Sequence, residues 1–363
     1  PVDEWLTTKQ VAALFHVDRT TVSRWAREGK VGTLRTLGGH RRYRRSEIER
    51  ITDVAIATAR ARTPQYSGGW ILAGATTTGS AAGIETPRVD AELLMCEALQ
   101  CSRGELIVRD VVSADEALRF EALVARREER VPLQHVVGRA AFRRIEVEIG
   151  PGVLTPRPET ELLVEAALRH LAAGRAVGER ARVVDLCSGS AAMTVSIALE
   201  AGDVDVVGLQ FVEPAYEWGQ RTGEAFAVGI AAAGSTLDLR RGDVVGCEKR
   251  ELADLVGTVS VVVSNPPYIP TWAVPRDPEV HLHEPAEALY GGEDGMQFVG
   301  AVVDAGRALL QPGGLLVIEH GDVQGEEGDV SVPRMVRELG GFVSVADHLD
   351  LAGRPRYTTA IRA

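Results

Sequence analysis

Apolar positions along this chain change their period twice. In the first fifty residues they recur at helical spacing in short bursts. Val11, Ala12, Leu14 and Phe15 fall on one side of a helix that Thr7 or Thr8 can cap. His16-Val17-Asp18 predicts a turn. Asp18 then opens a second helix, Arg19 to Glu28, with Val22 and Trp25 inward and Thr20, Thr21, Ser23 and Arg24 outward. Gly29 stops it. Gly38-Gly39 tips a hairpin whose second strand, His40-Arg41-Arg42-Tyr43-Arg44-Arg45, is cationic. A third helix begins at Ser46, with Glu49 at the capping-box position.

Periodicity lapses across residues 53–69, where Pro64, Ser67, Gly68 and Gly69 cluster. Residues 70–137 then predict an all-helical segment, with Pro87 in a first turn, apolar spacing through Ala91–Leu99, and a strong amphipathic stretch from Ala114 to Arg130. From about residue 141 the pattern changes again. Arg144–Ile149 alternates with period two. Thr155-Pro156-Arg157-Pro158-Glu159-Thr160-Glu161 leads into a helix. Strands are then expected at Ala181–Leu186, Val204–Val212, Val259–Ser264 and Leu315–His320, with helices between them. Strands alternating with helices predict a doubly wound, mostly parallel α/β sheet. The boundaries expected are a head at 1–62, a linker at 63–69, a helical domain at 70–140 and an α/β domain at 141–363.

Composition adds two constraints. No apolar run approaches the ~18 residues that span a membrane, and the opening Pro1-Val2-Asp3-Glu4 does not resemble a secretory leader. The four cysteines show no C-x-x-C spacing, so neither a disulfide framework nor a zinc site is expected, and a cytoplasmic location is the default. Charge is split: residues 1–62 carry 13 Lys plus Arg against 7 Asp plus Glu, a net +6 within a chain of net charge −11. A basic head on an acidic body points to a polyanionic partner for the head.

Two stretches carry candidate chemistry. Asn265-Pro266-Pro267-Tyr268 follows the buried run Val261–Ser264, at the strand end where open α/β sheets bind ligands. The Asn265 side-chain oxygen and the Pro266 carbonyl can accept the two N–H bonds of an amide or amino group. Two prolines stiffen the loop, and Tyr268 offers an aromatic face. The second stretch, Asp185-Leu186-Cys187-Ser188-Gly189-Ser190-Ala191-Ala192, passes from a strand through small residues into a helix, where backbone can approach a ligand closely. No metal site is implied.

Residues 5–52, with Arg35-Thr36-Leu37-Gly38-Gly39-His40-Arg41-Arg42-Tyr43, resemble the winged helix-turn-helix heads of the MerR superfamily, most closely the BldC-like regulators. The resemblance implies double-stranded DNA as partner, through Thr20, Thr21 and Arg24 of the second helix and His40, Arg41, Arg42 and Tyr43 of the wing. From about residue 70 onward the chain resembles the HemK/PrmC family of release factor N5-glutamine methyltransferases. The resemblance is carried by Thr86–Leu94, Pro132–Gly138, Pro156–Leu163, Asn265–Tyr268, His283-Glu284-Pro285, Gly291–Gly295 and Leu351–Arg354. It implies a helical docking domain, a β-hairpin and a seven-stranded class I methyltransferase domain with S-adenosylmethionine as cofactor. Release factors would be the protein substrate, held at its glutamine amide by Asn265 and Pro266, with Pro267, Tyr268, Arg157, Pro158 and Glu159 beside it. The cofactor would lie against Asp185, Cys187, Ser188, Gly189, Ser190, Ala191, Gln210, Asp243, Val244 and Asn265.

Two positions depart from the family pattern. Ala191 stands where the loop has its last glycine, so a β-carbon is expected to crowd the ligand unless φ is negative. Gln210 stands where a carboxylate binds the ribose hydroxyls, with Glu213 as the substitute acid three residues on. These departures keep open a DNA-binding regulator with a degenerate methyltransferase body. The N-P-P-Y together with a DNA-binding head keeps open a DNA adenine-N6 methyltransferase.

Overall fold

The computed structural model describes residues 4–14, 19–35, 40–48, 50, 65–109, 111–174 and 180–363. Phe15, the turn at 16–18, the Gly38-Gly39 tip, Glu49 and residues 51–64 lie outside the described residues, and the remainder of the expected linker, 65–69, forms β4 and the start of α4. The chain divides into two compact units, Pro1–Ile71 with Gly104–Arg119, and Leu72–Arg103 with Phe120–Ala363.

In the first unit, β1 (Trp5–Thr7) leads into α1 (Thr8–Leu14) and α2 (Arg19–Arg27), followed by β2 (Leu34–Arg35), β3 (Arg41–Arg44) and a helical turn, α3, at residues 45–48. Thr7 is the cap: its Oγ1 accepts the Gln10 N–H at 3.3 Å, while Gln10 Oε1 accepts the Thr7 N–H at 2.8 Å. β3 is central between β1 and β2, antiparallel to both. Its pleat turns Tyr43 inward against Leu6, Val11, Val22 and Ile48, and leaves Arg44 outside. Trp25 packs on the same cluster as expected. Leu14 departs from expectation: the two-turn helix buries only Val11 and Ala12, and Leu14 at its last position is exposed.

The expectation of an all-helical 70–137 needs one correction. β4 (Gln65–Ser67) pairs antiparallel with β5 (Val111–Ser113), because the β-branched Val111-Val112 favours a strand where helical spacing lapses. The helices are α4 (Gly68–Ala81), α5 (Pro87–Leu99), α6 (Arg103–Ile107), α7 (Ala114–Glu128) and α8 (Leu133–Val137).

The second unit continues through a hairpin, β6 (Arg139–Phe142) and β7 (Ile145–Glu148), into alternating elements. These are α9 (Glu161–Gly174), β8 (Ala181–Leu186), α10 (Ala192–Ala201), β9 (Val204–Gln210), α11 (Glu213–Ala232), β10 (Thr236–Arg241) and β11 (Val259–Ser264). Then come α12 (Pro278–His283), α13 (Ala286–Leu289), α14 (Gln297–Leu309), β12 (Leu310–Glu319), α15 (Val332–Leu339), β13 (Phe342–Leu349) and β14 (Pro355–Arg362). One seven-stranded sheet has the order β10-β9-β8-β11-β12-β14-β13, parallel except for β14, which is antiparallel to both neighbours. Its central strands are apolar on both faces because helices cover both, giving one core cluster on each side. β9 stops at Gln210, two residues before the end of its apolar run, because α11 begins at Glu213.

The helical part of this unit is tied to α12 by buried ion pairs. Arg127 contacts Asp90 at 2.7 Å and Glu279 at 2.8 Å, and Arg130 contacts Glu279 at 2.6 Å.

Candidate active site

The strand order reverses between β8 and β11, and the crevice outside their carboxyl ends is where such sheets hold ligands. A cavity of about 560 Å³ opens there. Cys187 and Gly189 line it from the loop after β8, Leu209 and Gln210 from the end of β9, and Asp243 and Val244 from the loop after β10. Asn265 and Pro267 close it from β11, and residues 285–288 with Phe298 from the far side.

The loop after β8 fits close approach by a ligand. Cys187, Gly189 and Ala191 all have positive φ, at 66°, 55° and 60°. A β-carbon at Gly189 would meet no atom within 4 Å, so that position faces open space. Ala191 behaves differently from expectation. Its φ is left-handed, which costs an alanine roughly 1 kcal/mol, yet its methyl does not line the cavity. It is fully buried beside α11, at Gly219, where an added β-carbon would lie 3.5 Å away. The extra methyl therefore packs into the core, in the room Gly219 leaves, rather than into the ligand space.

Asp185 lies beneath the loop, fully buried. Its Oδ2 accepts the Thr194 hydroxyl at 2.6 Å, its Oδ1 has no protein partner, and burial pushes its carboxyl up to about 7. Ser190 is also buried, and Ser188 is partly so. Burial likewise pushes the Cys187 thiol up to about 12, which makes it an apolar wall rather than a nucleophile. Gln210 ends β9 at the cavity edge, and its Oε1 accepts the neighbouring Phe211 N–H at 2.9 Å. Glu213 is paired with Arg241 and is not among the residues lining this cavity. Val244 forms wall, and Asp243 Oδ1 caps the Val245 N–H at 2.9 Å.

Around Asn265 the polar groups form one chain. Asn265 Nδ2 donates to Thr160 Oγ1 at 3.1 Å, Thr160 Oγ1 donates to Glu319 Oε2 at 2.6 Å, and the Tyr268 hydroxyl donates to Glu319 Oε1 at 3.3 Å. Glu319 is 1% exposed, and burial pushes its carboxyl up to about 7. Pro266 is buried, and the Tyr268 ring packs on the core beside β11 instead of lining the cavity. The glycine-rich turn is needed here: a β-carbon at Gly291 would strike the Pro267 carbonyl oxygen, and one at Gly295 the Tyr268 carbonyl oxygen.

Arg157, Pro158 and Glu159 stand behind this chain and not on the cavity wall. Arg157 pairs with Glu284 at 2.5 Å, and Glu284 also accepts the Thr155 N–H at 3.1 Å. Glu159 lies 3.8 Å from Arg354. Thr160, Glu284 and Glu319 escaped assignment from sequence, since their partners lie more than a hundred residues away. The one local signal was a carboxylate closing the apolar strand Leu315–Ile318. His320 is buried, with Nδ1 against the Gly321 carbonyl at 3.0 Å and Nε2 3.3 Å from Asp347. It does not line the cavity.

In the head, Thr20, Arg24 and His40 are exposed and Thr21 is partly so. Arg41 donates to the Ser23 carbonyl at 3.3 Å, fastening the wing strand to α2. Arg42 is partly exposed beside it. Tyr43 is fully buried, so its place among the expected DNA contacts is withdrawn: a two-residue alternation that exposes Arg44 sends Tyr43 into the core. Among the described residues no helix is long and apolar enough to cross a membrane.

A PrmC N-terminal domain profile matches residues 71–138, and a helix-turn-helix domain profile matches residues 5–51. The release factor glutamine methyltransferase of Streptomyces coelicolor is 41% identical over 294 residues, covering 80% of this chain and 97% of the relative. That of Mycolicibacterium smegmatis is 40% identical over 288 residues, covering 79% and 95%. A solved methyltransferase from Pyrococcus furiosus aligns over 67% of this chain and 96% of its own with a TM-score of 0.40 and 17% identity.

Proposed function

The chain belongs to the release factor glutamine methyltransferase family, and on that premise we infer how its own residues perform the reaction and what the head adds. The α/β domain has the class I methyltransferase fold, and the methyl donor is S-adenosylmethionine. The two rival readings, a regulator with a degenerate body and a DNA adenine-N6 methyltransferase, are set aside. When bound, the donor supplies an electrophilic methyl carbon on a sulfonium.

The cavity suits that donor. Gly189 leaves open space, Leu209 and Val244 provide apolar walls, Gln210 and Asp243 sit at its rim, and the Asp185 Oδ1 is an unpaired buried acceptor beneath the loop. The substrate is the side-chain amide of a release-factor glutamine. Asn265 Oδ1 accepts one of its N–H bonds and the Pro266 carbonyl the other, which fixes the amide plane and leaves the nitrogen facing the methyl. Holding both reactants in line is the main catalytic contribution, because it converts a two-body encounter into a one-body step. The single observation carrying this reading is that the Asn265 NH₂ is already committed to Thr160, so its oxygen is left for the substrate. Arg157 and Glu159 then act by holding the Thr155–Thr160 segment rather than by touching substrate. Transfer of labelled methyl to a purified release factor, with the site mapped to a glutamine, tests it; labelling of duplex DNA instead would sink it.

At the ribose position, Gln210→Glu is expected to tighten S-adenosylmethionine binding by about 1 kcal/mol, since a charged acceptor replaces a neutral one facing two hydroxyls. Calorimetry measures this. Unchanged or weaker binding would move the ribose contact elsewhere on the rim.

For the head we propose double-stranded DNA, supported by its +6 charge, its fold and the exposed Arg24. A cytoplasmic location accords with both partners. In the full-length protein, Arg24→Ala with Arg42→Ala is expected to weaken duplex binding on all sequences alike. The double variant should also lower the salt dependence by about two counterions, since each neutralised phosphate releases roughly one. An unaltered salt slope would refute a phosphate-contacting role for this face.

A further inference from the structure

The Asn265 carboxamide can face the substrate in two ways. With its oxygen toward the cavity it accepts an amide N–H. Turned over, it presents its own NH₂ to the NH₂ of the glutamine, and the site repels its substrate. Neither prolines nor packing distinguishes two groups of nearly equal size. A hydrogen-bond partner with fixed polarity does.

Thr160 is that partner, but a hydroxyl can donate or accept, so its own polarity must be set from beyond. Its Oγ1 lies 2.6 Å from Glu319 Oε2, a carboxylate-length contact, and 3.1 Å from Asn265 Nδ2. An ionised Glu319 can only accept. The Thr160 proton therefore points at Glu319, only lone pairs remain toward Asn265, and Asn265 must offer its NH₂ there. Tyr268 donates to the other Glu319 oxygen, so both carboxylate oxygens are engaged by donors. We propose that Glu319, acting through Thr160, is the positioning residue that fixes which face of the Asn265 carboxamide meets the substrate glutamine. This rests on the glutamine-amide reading above.

The arrangement has a consequence in pH. A protonated Glu319 can donate to Thr160, which then donates to Asn265 Oδ1 and turns the carboxamide over. The groups bearing on Glu319 are Glu159 from the Pro158–Thr160 turn, Tyr268 after β11 and Arg356 on β14. His320 follows Glu319 directly after β12, and Asp347 on β13 lies 3.3 Å from the His320 Nε2. Burial raises the Glu319 carboxyl toward neutrality, so turnover should fall as pH drops below about 7, and S-adenosylmethionine affinity should not follow it.

The test compares steady-state methylation of a release factor by wild type, Asn265→Ala, Thr160→Val, Thr160→Ser and Glu319→Gln. Thr160→Val is expected to lower kcat about 30-fold, with KM for the release factor and the S-adenosylmethionine Kd within about 3-fold. Thr160→Ser should restore most of that loss, because it keeps the hydroxyl. Glu319→Gln, nearly isosteric, should lower kcat and abolish its acid limb, which His320 alone would leave in place. Near-normal kcat in Thr160→Val, equal losses in Thr160→Ser and Thr160→Val, or an unaltered acid limb in Glu319→Gln would each overturn the relay. If Thr160→Val does not fold, the Glu319→Gln pH profile decides alone. Wild-type turnover in Asn265→Ala would instead overturn the underlying reading, whatever Thr160 does.

Discussion

Asn265→Ala is expected to lower kcat for methyl transfer by roughly 10²- to 10³-fold, the loss typical of removing one preorganised polar contact to the reacting group. Cofactor affinity should stay within a few-fold. Asn265 is one of many residues lining the cavity, and most of the wall is supplied by Leu209, Val244, Pro267 and the 285–288 segment. The acceptor amide has only two anchoring oxygens, and one is removed. The Pro266 carbonyl alone leaves the amide free to rotate about its remaining hydrogen bond, so the reacting nitrogen is no longer held in line. The variant also frees Thr160 Oγ1 of its 3.1 Å contact, a loss confined to a site where Thr160 and Tyr268 stay hydrogen-bonded to Glu319. Steady-state kinetics with labelled donor, paired with calorimetric titration of the cofactor, separates the two effects. Turnover within a few-fold of wild type would remove Asn265 from the amide-holding role.

The second large effect concerns stability. Arg127 is buried between Asp90 and Glu279, with side-chain exposures of 9%, 8% and 14% for the three residues. Arg127→Ala leaves Asp90 uncompensated in a low-dielectric setting and strips one of two cations from Glu279. Breaking such a pair from one side costs about 3–5 kcal/mol. Asp90→Asn with Arg127→Met should recover part of this, because the stranded charge at Asp90 is gone. The loss depends on pH with a known sign. Burial of Glu279 opposes ionisation, but Arg130 and Arg127 outweigh it and hold its carboxyl below the ordinary 4.5. Its stabilisation is therefore present above that value and disappears as pH falls through the lowered one. Urea unfolding at neutral pH and in a series stepped down from pH 4.5 measures both points. A neutral-pH loss under about 1 kcal/mol would show that the network is solvated. Activity should fall with stability here, since α12 runs directly into Glu284, which anchors Thr155 and Arg157.

Much of this architecture was legible in the chain, for local reasons. β8, β9 and β11 each centre on a valine-rich stretch because both faces are covered, and such stretches stand out from amphipathic helices. A threonine cap at residue 7 or 8, α2 and its Gly29 stop are readable from single residues, and the structure selects Thr7 with Gln10. What was hidden depended on partners distant in sequence. β13 and β14 mix polar and apolar residues, since β13 is an edge and β14 is partly exposed along its length. The wing resemblance puts Tyr43 on the DNA face, whereas alternation along β3 turns it inward. Ala191 was judged by its neighbours in the loop, whereas its consequence is set by Gly219 on another helix. Thr160 and Glu319, 159 residues apart, become one device only when the sheet brings them to 2.6 Å.

The strand order also has a consequence for synthesis. β13 is translated before β14, yet β14 is what joins it to the sheet, lying between β12 and β13. Until Pro355–Arg362 is made, β12 presents an open edge and β13 has no neighbour on either side. Both are then free to pair with whatever strand is nearest, including one from another nascent chain. The β12 end that waits is the one carrying Glu319, so that side of the active site is completed only when β14 inserts. Yield in cells should therefore respond to codon choice and chaperone supply over residues 340–362 more than over the early strands β8 and β9, whose pairing does not wait for a later strand to be inserted between them.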